Sequence, residues 1–495
     1  MSCCGPRTDP RVFFLTVTIF IHMEEIKAMS QRPSEPSTLL GSWIEIVQSW
    51  RSAFSQPRTL VRAQRQALGS LLCLGRSTLS RIIWTAGREQ KSWSGEYFLH
   101  SRAKWNPHAL FEPLLREALP YCPGRLVGVA VDDTRLKKTG RAIPQAQYHR
   151  DPLSPPFHVN LVWALRFLQA SLLLPLHRSG PFSTRGVPIR FEEVSSVKKP
   201  GRRASEQDWN VYKRERKERN LSHRFVQSMA EMRQVFDRVG AWKKLLVIVG
   251  DGSFCNRTVF SAIPERVVLI ARTRKDASLC FRAPEGGRCF YSKEKFTPDQ
   301  VRLNENNPWR VTKIFYGGKR RKVRYKEVTG VFWQGGARKR PLRLFVIAAT
   351  PYKKRKSGRL YYRHPAFLLT TMLAGSGRQL LQMYFDRWQI EVNHRDEKDT
   401  LGVGQAQMWN PVSVPKQPAL VVASYSAMLL AALKAFGPGR GDAYAPLPRW
   451  RSSAKRPSCL DMCAILRREA QQNPDLLKTL HFSVSPTQMV AAASA

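Results

Sequence analysis

Two short apolar runs, each ending in aspartate, most constrain how this 495-residue chain can fold. The first covers residues 126–131 and continues into Asp132 and Asp133, and the second is Leu245–Gly250, which continues into Asp251. Six consecutive apolar residues of this kind are typical of a strand that is buried on both faces of a sheet. Where two such strands lie parallel, their carboxyl ends meet at one edge of the sheet, so the acids would converge there.

The segments around these runs predict a mixed α/β fold. Further strands are predicted at 158–167, 171–177 and 267–271, and a long charged helix is predicted at 208–239. The resulting order is β-β-β-α-β-α-β, with acids after the first and fourth strands. A ribonuclease H-like core requires this order, and we expect an α/β fold with a mixed sheet.

A third carboxylate is predicted to lie on a helix near residue 391. At about 100° per residue, a helix places Tyr384, Arg387, Glu391 and Lys398 within an arc of about 60°. Glu397 projects at about 220° and is expected to face away from this row. The predicted apolar stripe beside the row consists of Leu381, Phe385, Trp388 and Val392. The alternative explanation is an ordinary amphipathic helix with solvated charges.

The spacing Tyr-x2-Arg-x3-Glu-x6-Lys resembles the Tyr-Arg-Glu-Lys signature of DDE transposases encoded by bacterial insertion sequences. The resemblance implies a ribonuclease H-like catalytic core in which Asp133, Asp251 and Glu391 are the catalytic acids and metal ligands. In that family the first acid immediately precedes a threonine, which favours Asp133. Neighbouring side chains of a strand point to opposite faces, so a register error of one residue would select Asp132 instead.

The resemblance also implies a reaction. Such an enzyme cuts DNA at the ends of its insertion sequence and joins the freed 3'-OH to target DNA. Carboxylates without His or Cys ligands suit Mg²⁺ or Mn²⁺ rather than zinc, and two such ions are expected. The alternative is a catalytically inactive relic that retains the fold and binds DNA. The residues predicted to contact DNA are Tyr384, Arg387, Lys398, Lys137 and Lys138.

The charge of the chain points to a polyanionic partner. It carries 81 Lys and Arg against 37 Asp and Glu, a net charge of +44, and double-stranded DNA is the expected partner. The cations run through nearly every segment, which disfavours a membrane partner. The nine scattered cysteines contain no C-x2-C pair, which is typical of a cytoplasmic protein with reduced thiols. We predict a nucleoid-associated bacterial protein, and the resemblance implies a homodimer on DNA.

The sequence predicts four divisions of the chain. Residues 1–36 are expected to be a disordered tail or the product of a mis-assigned start. Residues 37–120 are predicted to form a helical DNA-binding domain, with the outline of a helix-turn-helix around Gly75, or else a plain helical hairpin. Residues 121–436 form the predicted catalytic domain, and 437–495 a C-terminal tail with a short helix. A β-rich basic insertion is predicted at about 276–367, since residues 310–363 hold 18 Lys and Arg and one acid, Glu327.

Overall fold

A ten-stranded mixed sheet is the centre of the protein. The computed structural model describes residues 38–484 except 152–153, 156, 195–196, 286–287, 356 and 452–453. The expectation for residues 1–36 therefore lies outside the described residues. The strands are β1 (Leu126–Lys137), β2 (Gln147–Arg150), β3 (Leu161–Leu174), β4 (Arg185–Glu193), β5 (Leu245–Gly250), β6 (Val267–Thr273), β7 (Leu279–Arg282), β8 (Tyr291–Phe296), β9 (Arg310–Tyr316), β10 (Lys319–Val331), β11 (Leu342–Ile347), β12 (Pro351–Lys353), β13 (Leu360–Tyr362) and β14 (Ala366–Thr370).

Five of these strands form the ribonuclease H-like core, in the order β4-β3-β1-β5-β6. The pairs β4-β3 and β3-β1 are antiparallel, whereas β5 and β6 run parallel to β1. The predicted fold class is confirmed. One detail differs: the segments predicted as separate strands at 158–167 and 171–177 belong largely to one long strand, β3, because no turn-forming residue lies between them.

The predicted insertion is rich in strands, and half of its eight strands extend the central sheet instead of forming a sheet of their own. Strand β14 pairs antiparallel with β6, and the sheet continues through β11, β10 and β9. Two small ribbons, β7-β8 and β12-β13, lie outside the sheet. An exposed strand edge is prone to pair, and β14 covers the edge that β6 would otherwise present.

The helices form layers on the sheet. In chain order they are α1 (Leu39–Gln48), α2 (Pro57–Leu72), α3 (Leu79–Thr85), α4 (Ser94–Ser101), α5 (Phe111–Ala118), α6 (Glu206–Glu218), α7 (Leu221–Arg238), α8 (Arg257–Phe260), α9 (Pro298–Leu303), α10 (Gln334–Ala337), α11 (Gly377–Asp386), α12 (Trp388–Arg395), α13 (Ser413–Phe436), α14 (Cys459–Gln472) and α15 (Pro474–Lys478). Helices α2 and α3 flank a turn at Gly75, whose φ of 82° suits glycine.

The N-terminal and C-terminal helices pack together around α13. The indole Nε1 of Trp43 on α1 donates to the carbonyl of Ser424 on α13 at 3.4 Å. The carboxylate of Glu469 on α14 accepts hydrogen bonds from the backbone N–H groups of Leu39 (3.2 Å) and Leu40 (2.7 Å). The described residues from Leu39 onward form one compact unit. The assignment of separate functions to the segments before 120 and after 436 stays a prediction.

Helix α13 is the one helix among the described residues that is long and apolar enough to cross a membrane. In this structure 83% of its apolar window is buried inside the protein. Its apolar surface is accounted for by packing against α1, α2 and β4. The helix therefore serves as a core element of the described fold.

The segment α11–α12 packs on one face of the core sheet. Ile390 on α12 contacts Ala130 on β1 and Leu173 on β3 in a small apolar cluster. Gly186 on β4 lies directly beneath the same helix, and Asn393 donates a hydrogen bond to its carbonyl at 3.0 Å. A Cβ atom at position 186 would lie 2.8 Å from Oδ1 of Asn393 and 2.9 Å from Cβ of Gln389.

We predict that Gly186→Ala destabilises the protein by about 1–3 kcal/mol, because the added methyl group forces α12 away from the sheet. Urea unfolding followed by circular dichroism measures the change in the free energy of unfolding. Gly335→Ala is the matched control, since no atom lies within 4 Å of a Cβ at that position. Equal stability of Gly186→Ala and the intact protein would contradict this packing.

Candidate active site

Three carboxylates lie around the carboxyl end of β5 and the middle of β1, just beyond the part of β1 that pairs with β5. Asp132 lies on β1 on the same face as Ala130, which contacts α12, and Glu391 lies on α12 itself. Asp251 directly follows β5, and its Oδ1 accepts a hydrogen bond from the backbone N–H of Ser253 at 2.9 Å. The guanidinium of Arg387 lies between two of the acids. Its Nη2 is 3.0 Å from Oε1 of Glu391, and its Nη1 is 4.0 Å from Oδ2 of Asp132.

The electrostatic interactions link all three acids. Burial raises the pKa of Asp132 to about 7, and the charge of Asp251 contributes to the rise, while Arg387 opposes it. Burial also raises the pKa of Glu391, with Arg387 and Arg363 opposing the rise and Asp251 adding to it. The charge of Asp251 thus acts on both of the other acids. Like charges so arranged repel one another, which favours a cation between them.

Asp133 lies on the other face of β1, where two arginines bind its carboxylate. Nε of Arg166 is 2.8 Å from Oδ2 of Asp133, and Nη2 of Arg135 is 3.7 Å from the same atom. The structure therefore brings Asp132, the alternative candidate, together with Asp251 and Glu391. The family pattern favoured Asp133 because this residue immediately precedes a threonine. The face to which each side chain points is set instead by the register of β1.

The Glu391 helix differs in two ways from the ideal helix assumed from the sequence. Its buried face runs through Met383, Asp386, Ile390 and Asn393, whereas Trp388, predicted to lie in the apolar stripe, is 56% exposed. Residues Asp396–Thr400 form a π-helical turn, which changes the angular spacing of the side chains. As a result Glu397, expected to face away from the sheet, is buried.

The residues predicted to contact DNA fall into two groups. Arg387, Tyr384 and Lys398 are partly buried around the site, and Lys137 is exposed at the end of β1. Lys138 is a correction, since its buried ammonium group donates to the carbonyls of Gly404 (2.6 Å) and Ala406 (2.7 Å). Burial lowers its pKa to about 8, and its donors are directed at the protein and not at a phosphate.

A cleft of about 640 Å³ opens beside Arg387. Arg272 on β6 and Arg363, which follows β13, add two further guanidinium groups to its wall. The Phe, Tyr and Trp residues that line it are Phe315, Tyr316, Tyr352, Tyr362, Tyr384, Phe385 and Trp388. Guanidinium groups bind phosphates and aromatic rings stack on bases, so the cleft suits a nucleic acid strand. Sequence reasoning missed Arg272 and Arg363, because the only signal for Arg363 was the general basic charge of the insertion.

The donor set fits a hard divalent cation. Asp132, Asp251 and Glu391 offer only oxygen atoms, which Mg²⁺ and Mn²⁺ prefer. Within the described residues no three acidic, His or Cys side chains are grouped tightly enough to form a preassembled metal site. Repulsion among the acids and the bond between Arg387 and Glu391 account for this spacing. Burial is the main cause of the raised pKa of Asp132, and a divalent cation would relieve the repulsion by Asp251 that adds to it.

The buried carboxyl group of Glu397 makes the stability of the fold depend on pH. Its side chain accepts a hydrogen bond from Nε2 of Gln169 at 2.9 Å, and burial raises its pKa to about 8. In the unfolded chain this carboxyl has an ordinary pKa of about 4.3. At a pH between the unfolded and the folded pKa values, only the folded protein keeps the proton. The neutral carboxyl therefore stabilises the fold fully at low pH, and this contribution is lost as the pH rises toward 8.

We predict that Glu397→Gln gains stability relative to the intact protein as the pH rises from about 5 to 8. The gain is on the order of a few kcal/mol, because each pKa unit corresponds to about 1.4 kcal/mol. Urea unfolding at several pH values measures the difference between the two proteins. A difference that does not change with pH would mean that Glu397 is ionised in the folded protein.

The family comparison agrees with this fold. The profile of the DDE superfamily endonuclease family matches residues 53–340, which is more than half of the chain. The match includes Asp132, Asp133 and Asp251 and ends before α12, so Glu391 lies outside it. No curated protein matches the chain. Because the match covers more than half of the chain, the chain belongs to the DDE superfamily endonuclease family.

Proposed function

We propose that this protein is a transposase of the kind encoded by bacterial insertion sequences. It would cut DNA at the ends of its element and join the freed 3'-OH to target DNA. The observation that carries the proposal is the electrostatic linkage of Asp132, Asp251 and Glu391 around Arg387 at the carboxyl edge of the sheet. The net charge of +44 supports DNA as the substrate.

Each acid has an assigned role. Asp132, Asp251 and Glu391 would hold Mg²⁺ or Mn²⁺, two ions in the full site, and they replace the set that contained Asp133. When bound, such ions activate the attacking hydroxyl and stabilise the departing oxygen of a phosphodiester. Both the cut and the joining step are in-line displacements at phosphorus. A single set of acids can therefore serve both reactions.

Arg387 and its neighbours would position the DNA. In the described structure Arg387 bonds Glu391 at 3.0 Å, and it can exchange this partner for a phosphate oxygen of the substrate. Arg363 and Lys398 act electrostatically on Glu391 and Asp132 respectively, so phosphates held by them would lie close to the acids. Tyr384 and Lys137 are proposed to add contacts to the backbone of the DNA.

The partners and location follow from the same proposal. The substrate would be double-stranded DNA at the element ends and at the target, in the bacterial cytoplasm. Two ends must be held together for insertion, so a homodimer on DNA is part of the proposal. The Tyr-Arg-Glu-Lys spacing, which runs from α11 through α12 into the π-helical turn that follows, supports the assignment to insertion-sequence transposases.

We predict that the intact protein nicks a labelled duplex at the boundary of the inverted repeat that flanks its source locus, and only with Mg²⁺ or Mn²⁺ present. Glu391→Gln should bind the same duplex with similar affinity but lose about 10²-fold or more in nicking rate, because a metal-binding carboxylate is lost. Gel analysis of the labelled strand measures the nick. Glu265→Gln, which changes an exposed acid, is the control and should cut normally.

Two outcomes would overturn parts of the proposal. If the intact protein binds the repeat but does not cut it with either metal, the protein is better described as an inactive DNA-binding relic. If Glu391→Gln cuts as fast as the intact protein, Glu391 is not a catalytic residue. Joining of the cut end to a second duplex distinguishes a transposase from an ordinary nuclease.

A further inference from the structure

A second cationic cavity runs along α11, from Ser376 just before the helix to Asp386 at its last residue. Its volume is about 360 Å³. Three arginines from separate parts of the chain line it: Arg178 follows β3, Arg320 lies on β10, and Arg378 lies in the first turn of α11. All three side chains are exposed. The fold thus gathers three cations whose positions in the sequence are far apart.

The three guanidinium groups surround His177, which also lines the cavity. Burial lowers the pKa of His177 to about 4, and the charges of all three arginines lower it further. The ring of His177 is held in place by stacking on Phe315, with the ring centres 6.0 Å apart. A neutral, fixed ring at this position leaves the three arginines as the charges that face the cavity.

None of these arginines forms an ion pair with an acid among the described residues, although the charge of Arg178 acts on Asp386. Only Arg178 makes a side-chain hydrogen bond there, to the carbonyl of Pro123 at 3.1 Å. The one acid described in the cavity wall is Asp386, which is buried. Burial raises the pKa of Asp386 to about 7, and Gln382 donates a hydrogen bond to it. Converging cations without a counterion repel one another, so the cavity favours an anion from outside the protein.

The position of the cavity indicates which anion it binds. The helical segment from Arg378 to Glu391 spans at most about 20 Å, at about 1.5 Å per residue. Duplex DNA rises about 3.4 Å per base pair, so this length corresponds to about six base pairs. A duplex whose end lies at Glu391 could therefore present a backbone phosphate to the cavity.

We propose that Arg178, Arg320 and Arg378 bind a backbone phosphate of the element end, about six base pairs from the cut. The inference rests on the proposed function, because it takes the position of the cut from Glu391. Such a contact positions the duplex without reading its sequence. It would hold the helical axis of the DNA along α11 while Arg387 holds the phosphates next to the acids.

The double variant Arg320→Ala/Arg378→Ala tests the proposal. For binding to a duplex that carries the flanking inverted repeat, the slope of log Kobs against log salt should become less steep by about one unit, since about one phosphate contact is lost. Ethylation of a phosphate about six base pairs from the repeat boundary should weaken binding of the intact protein but not of the variant. Fluorescence anisotropy and ethylation interference provide the two measurements.

The matched control is Arg116→Ala/Arg238→Ala. It removes the same charge from two exposed arginines that both pair with Glu112, outside the cavity. We expect this control to keep the salt slope and the interference pattern of the intact protein. Circular dichroism melting verifies that both double variants are folded.

Two results would overturn the inference. The first is a cavity variant with the same salt slope and interference pattern as the intact protein. The second is loss of inorganic phosphate binding by the variant while its DNA binding stays unchanged, which would assign the cavity to a small anion. Both readouts measure binding, so a failure of the intact protein to nick DNA would count against the proposed function alone.

Discussion

The packing of Ile390 against Ala130 and Leu173 is the contact on which the candidate site depends. This contact sets which face of β1 lies under α12. Since strand side chains alternate, Asp132 shares the face of Ala130 and Asp133 the opposite one. The same contact places Glu391, one residue after Ile390, beside the carboxyl edge of the sheet. The grouping of candidate carboxylates from distant parts of the chain thus follows from one buried apolar cluster.

The candidate site also depends on electrostatic interactions among its charged side chains. Asp132, Asp251 and Glu391 repel one another, and in the described structure Arg387 is the cation that lies between two of them. The helix that carries Arg387 and Glu391 is held from outside as well. Arg456, in the segment before α14, donates to the side chain of Gln389 at 2.6 Å. The C-terminal segment, whose role was not evident from its sequence, therefore supports the helix that carries the site.

Much of this fold could be predicted from the sequence, and the reasons are local. The buried strands β1 and β5 begin as apolar runs, and Asp251 marks the end of β5, whereas β1 continues through Asp132 and Asp133 to Lys137. The pairing of β14 with β6 could not be predicted, because a short apolar strand carries no information about its distant partner. The choice between Asp132 and Asp133 could not be made either, because it depends on packing against α12. The burial of Glu397 depends on a π-helical turn, which an ideal helical angle does not represent. The burial of Lys138 could not be predicted either, because the carbonyl groups to which it donates lie far away in the sequence.

Nicking by Asp132→Asn and Asp133→Asn, compared on the same duplex and the same amount of bound protein, tests the account most directly. The account predicts that Asp132→Asn loses about 10²-fold or more in the metal-dependent nicking rate, since a carboxylate of the site is removed. Asp133→Asn should keep nicking within about tenfold, because its carboxylate binds Arg166 and Arg135 on the other face of β1. The opposite pattern, with Asp133→Asn inactive and Asp132→Asn active while both remain folded, would contradict the account.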